Sequence, residues 1–166
     1  IQALIDAAAT EIDFANSAVI KLEKQISDLR DTIADEDTTI AKARKLSDFQ
    51  RKLTERIGKV QSEIAFYHDN DTCPTCRQGL PHEFKDEAVA TQNEKLSEIQ
   101  QALDQLSDDI ESTQTRLDAI TAVSDNIAGY NREIIAHNNQ IIASQKYIQK
   151  LQAEKAAHKD TDDNLD

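Results

Sequence analysis

The 166-residue chain carries 31 acidic against 19 basic side chains, a formal charge of -12, with four Phe, three Tyr and no Trp. It lacks the large side chains that fill a single compact core. Its overall field repels a phosphate backbone, so direct DNA binding by the segment is disfavoured, and no run approaches the ~20 apolar residues of a membrane span. The start IQALIDAAATEID lacks the basic n-region of a secretory leader, so a cytoplasmic setting is expected. With no Met even at residue 1, the sequence reads as a processed chain or as an excerpt from a longer protein.

Over residues 1–68, Ile5, Ile12, Val19, Ile26, Ile33 and Ile40 recur every seven residues, accompanied by Ala8, Ala15, Leu22 and Leu29. That is an a/d heptad seam, and it predicts one ascending coiled-coil helix. The step Ile40, Ala43, Leu46 is three plus three residues rather than three plus four, after which Leu53, Ile57, Val60, Ile64 and Tyr67 resume the alternation. A stammer with local overwinding is expected at 40–46. Gly58 here, and Gly129 farther on, are candidate points of flexibility within helices.

Residues 69–81 hold both cysteines, both prolines and one of the three glycines, and read as a loop. A second seven-residue ladder then runs through Ile99, Leu106, Thr113, Ile120, Ile127, Ile134, Ile141 and Ile148, with companions Leu96, Leu103, Ile110 and Leu117. Beyond these the companions turn polar, at Ser124, Asn131, Asn138 and Gln145. Residues 82–152 therefore read as a descending coiled-coil helix.

The ladders match when the chain folds back. Ile5 with Ile148, Ile12 with Ile141, Val19 with Ile134, Ile26 with Ile127 and Ile33 with Ile120 all sum to 153, which centres the fold-back between Cys76 and Arg77. The predicted class is all-α, a long antiparallel coiled-coil hairpin on the order of 100 Å in length at ~1.5 Å per residue. Residues 153–166 have no counterpart in that register and read as an overhang or frayed tail. A parallel homodimeric coiled coil is the competing arrangement, and the central Pro and Gly residues weigh against it.

The apex sequence TCPTCRQGL offers two thiols three residues apart, Cys73 and Cys76. Such a turn fills two corners of a tetrahedral zinc site, with Pro74 stiffening it and the amides of Thr75 and Cys76 placed to offset thiolate charge. Arg77 would add to that effect, and Leu80 and Phe84 are candidates to pack around the site or to staple loop to helix. The other two corners would come from a second copy of the chain or from His68 and His82. A redox pair or incidental cysteines are the remaining uses of the motif, although no strand pattern supports a thioredoxin-like context.

CPTC at the tip of a long helical hairpin resembles the zinc hook of the SMC-like ATPases of DNA double-strand-break repair, the SbcC family, and YHDNDTCPTCRQGL is most similar to the recombination-endonuclease subunit of tailed phages. The resemblance implies a homodimer in which two hooks share one zinc, with Cys73 and Cys76 as ligands and Pro74 as the hook proline. It further implies a DNA-recombination ATPase as the parent chain, an exonuclease subunit whose nuclease partner and DNA are held by parts outside this sequence, in a bacterial or phage-infected cell. The segment itself is not expected to be an enzyme, since Gly58, Gly79 and Gly129 lie too far apart for a Walker A loop. The rival expectation is a metal-independent structural spacer.

Overall fold

The repeats fold as helix: α1 spans Gln2–Thr32, α2 Glu36–Asp69 and α3 His82–Asp163. This computed structural model describes residues 1–164, and among them the fold is all-α, with a single isolated β-bridge in the loop before α3. No helix of the described residues is long and apolar enough to cross a membrane. The chain divides into two units, one formed by Ile1–Ala34 with the stretch from Ile120 onward, the other by Asp35–Ala119.

In the first unit α1 runs antiparallel to the C-terminal part of α3. Ile26, Ile33, Ile120 and Ile127 form its buried cluster, with Leu29, Val123, Tyr130 and Ile134 packed around it. Removing four such side chains from water stabilises the pair by about 2 kcal/mol each before chain entropy is counted. Toward the other end the buried residues of α1 shrink to Ala8 and Ala15, and Lys155 donates to Gln2 across the pair at 2.7 Å.

The companion positions on this part of α3 differ from expectation. Asn131, Asn138 and Gln145 are exposed, whereas Tyr130 and His137 are half-buried and Ser144 and Leu151 are buried. The companion sits three residues after each ladder isoleucine, not four. From Ile120 onward the contact stripe has therefore moved to the other flank of the ladder, leaving the asparagines in water.

In the second unit α2 pairs with the first part of α3. Leu46 and Val60 are buried on α2, and Ile99 and Thr113 on α3, with Ile40, Leu53, Ile57, Ile64, Leu96, Leu103 and Leu106 half-buried along the same stripes. The α3 ladder continues toward the loop as Gln92 and Lys85, two polar residues in apolar slots. Around the Ile40–Leu46 steps a cavity of about 220 Å³ opens, lined by Ala43, Leu46, Ser47, Gln50, Ile110, Thr113 and Gln114. Thr113 is 4% exposed and its Oγ1 has no hydrogen-bond partner.

Residues 1–68 are not one helix. The chain leaves helical geometry at Ile33–Asp35, and the stretch 40–46, where a stammer is expected, lies within α2. Local donors close off the carbonyls on either side of the break. Thr32 Oγ1 donates to Leu29 O at 2.6 Å, the Ile33 amide turns to Arg30 O, and Asp35 starts α2 by accepting from the Thr39 amide at 2.9 Å and the Thr38 hydroxyl at its carbonyl. Glu36 and Asp37 in the first turn suit the positive end of a helix. The helices pass through Gly58 and Gly129 without interruption. The stretch expected as overhang or frayed tail is helical through Asp163, and its last two residues, 165 and 166, lie outside the described residues.

Candidate metal centre

Two helix ends present the loop. At the end of α2, Asn70 turns extended (φ -126°, ψ 129°), and both its amide and its Nδ2 donate to Phe66 O, so one residue stops the helix and satisfies its carbonyl twice. On the other side Pro81 precedes α3, and its carbonyl accepts from the Lys85 amide at 3.0 Å. Pro81 lacks an N–H and biases Leu80 away from helix, so α3 cannot start earlier.

Between these ends the two sides of the loop are tied rung by rung. Leu80 N donates to Asp71 O at 2.7 Å, Cys73 N to Gln78 O at 2.8 Å and Arg77 N to Cys73 O at 2.7 Å, with a bridge between Thr72 and Gly79. The Thr72–Gly79 pairing centres the reversal between Thr75 and Cys76, one residue from the position given by hydrophobic register. Arg77 closes the turn with φ 60°, a left-handed conformation that Gly adopts more cheaply.

That turn sets the sulfur chemistry. The Cys76 amide reaches Cys73 Sγ at 3.4 Å. Donors from Cys76, then from the Thr75 and Arg77 amides, hold the Cys73 thiol below its ordinary range against a smaller opposing effect of burial. Both cysteines are free, Cys73 half-buried and Cys76 exposed at the surface of the tip. Backbone donors of this kind lower the cost of a thiolate at Cys73, which is the form of cysteine that a metal would take.

The histidines go elsewhere. His68 and His82 line a cavity of about 370 Å³ together with Tyr67, Lys85, Asp86 and Val89, and neither cysteine borders it. Among the described residues no group of three or more His, Cys, Asp or Glu side chains is gathered as for a metal ion. Comparison of the chain with known protein families, curated proteins and solved structures finds no match.

Phe84 packs edge-to-face on Tyr67, with ring centroids 6.1 Å apart, and Leu80 is half-buried, so Phe84 staples helix to helix at the loop's base. Lys85 and Asp71, which the motif does not point to, meet at the base of the loop. Lys85 is buried at 9% exposure and extends its ammonium to Asp71 Oδ1 at 2.9 Å, tying the first turn of α3 to the first residues of the loop. The lysine's hydrogen bond and charge hold the Asp71 carboxyl below its usual range. Its place in the Ile99 ladder, where a lysine has no business unless a partner meets it, was the available signal.

Proposed function

We propose that the chain is the arm and hook of a DNA-repair or recombination ATPase of the SbcC type, an antiparallel coiled coil whose tip dimerises through zinc. The observation that carries this reading is the C-P-T-C-R turn at the junction of two helices, with backbone amides aimed at the Cys73 sulfur. Two copies would each contribute Cys73 and Cys76 to one shared ion, a four-thiolate structural site. The ion's role is cohesive: a short polar loop buries too little apolar surface to hold two copies together, whereas a structural metal supplies association energy of its own. The segment performs no chemistry itself. It tethers two complexes, and the DNA held by other parts of the protein, within the cytoplasm of a bacterial or phage-infected cell.

Zinc content per chain and mass by light scattering, with and without a chelator, test this. Half a zinc per chain in a dimer that dissociates on chelation is expected. The Cys73→Ser/Cys76→Ser variant should keep its helical circular dichroism and run as a monomer. A dimer that ignores both chelator and substitution would refute the hook.

A further inference from the structure

The net charge of -12 conceals a reversal of sign on α2. Residues 42–59 hold seven of the chain's 19 cations and two carboxylates, Asp48 and Glu55. Both carboxylates engage Arg51, at 3.9 and 3.2 Å. Of the rest, Lys42, Lys45, Lys52, Arg56 and Lys59 fall with Phe49 at alternating steps of three and four residues, which places all six on one stripe of the helix.

All five cations of this stripe are exposed, and none makes an ion pair among the described residues. Phe49 stands in its middle with 55% of its surface in solvent. The arrangement works against the helix. Lys42 with Lys45, Lys52 with Arg56 and Arg56 with Lys59 are like-charge neighbours three or four apart, and a phenyl ring turned outward leaves apolar surface in water. A solvated helix face would normally intersperse both signs.

We propose that this stripe binds single-stranded nucleic acid, its cations lying along the phosphates and Phe49 offering a face on which one base stacks. The stripe extends about 25 Å, with a cation or the ring at each step of about 5 Å. At a Debye length of ~8–10 Å a bound strand senses chiefly the nearby stripe, so the acidic remainder of the chain does not forbid contact. An exposed aromatic set between cations is the combination used by sequence-tolerant single-strand binders, and a duplex, its bases already stacked, has no use for the ring.

Anisotropy of a labelled oligothymidylate of about twenty nucleotides, titrated with the full 166-residue chain between 50 and 200 mM salt, tests the assignment. Lys45→Ala/Lys52→Ala should weaken binding at least tenfold at the lower salt and flatten the log–log salt dependence by about 1.4, the contribution of two phosphates on a single strand. Phe49→Ala should weaken binding about tenfold and leave the salt slope unchanged. Lys146→Ala/Lys150→Ala, which removes the same charge from exposed sites on α3, should do neither. Absence of binding, equal loss in the α3 variant, a duplex bound as tightly as the single strand, or equal competition by polyglutamate would each overturn the proposal.

Discussion

Arg116 grips Asp35 through two hydrogen bonds, Nε to Oδ2 at 2.9 Å and Nη2 to Oδ1 at 2.6 Å, although the residues are 81 apart in sequence. The pair fixes the residue that precedes α2 to α3 within one unit, and Thr39 Oγ1 adds a contact to the same carboxylate at 3.2 Å. The Arg116 hydrogen bond, more than its charge, brings the Asp35 pKa from 3.8 down to about 2, against a smaller opposing effect of burial. A bidentate fork explains why the partner is arginine and not lysine.

That linkage has a sign. A carboxyl depressed in the folded state contributes stability that is fully present above its ordinary pKa and fades as the pH falls from about 3.8 through about 2. Arg116→Ala should therefore lower the melting temperature more at pH 7 than at pH 2. Thermal unfolding followed by circular dichroism across that range checks it; an equal loss at both ends would mean that the guanidinium acts through packing alone.

Arg77 holds φ 60° without the freedom of glycine. Arg77→Gly should relieve about 1 kcal/mol of local strain, while Arg77→Val should add to it. Hydrogen exchange at the Arg77 amide, which donates to Cys73 O, is the direct readout, with about fivefold slower exchange expected for Gly and faster exchange for Val.

Gly58 occupies the interior of α2, and a Cβ built there meets nothing within 4 Å. Gly58→Ala should stabilise the chain by about 1 kcal/mol through helix propensity. A shift of the urea midpoint to higher concentration with an unchanged slope is the expected result, and an unshifted midpoint would count against α2 being helical there.

Thr113 presents a buried hydroxyl without a partner to the cavity beside Ala43 and Leu46. Thr113→Val keeps the shape and removes the orphan group, for an expected gain of about 1 kcal/mol, whereas Thr113→Ala enlarges the hole and should destabilise. The two variants should move the urea midpoint in opposite directions.

Much of this architecture was legible. Ile26, Ile33, Ile120 and Ile127 fell on two matched ladders, and they are the buried cluster of the first unit. The reversal at the cysteines followed from the same register. Three features did not follow, each for its own reason. Past Ile120 the residues three and four places on, Val123 and Ser124, are both half-buried, so periodicity alone gave no choice of flank and took Asn131 over Tyr130. At Ile33–Asp35 the chain leaves the helix without Gly or Pro, and the Thr32 and Thr38 hydroxyls that donate to the Leu29 and Asp35 carbonyls there do not alter the seven-residue count. Lys85 is hidden from the pattern because a charged residue in a ladder slot breaks the apolar repeat, and the partner that admits it, Asp71, lies across the loop.

The rungs that tie Asp71 to Leu80 and Cys73 to Gln78 also decide how the tip bears load. A pull on both sulfurs passes into α2 through Asn70 and into α3 through Pro81 at once, so each helix carries part of the tension and both are drawn in the same direction. Helices pulled together from one end are neither sheared past one another nor peeled apart. At the far end of the same unit the bidentate Arg116–Asp35 pair closes the stripe between α2 and α3, so the two helices are tied at both ends and neither end is free to unzip first.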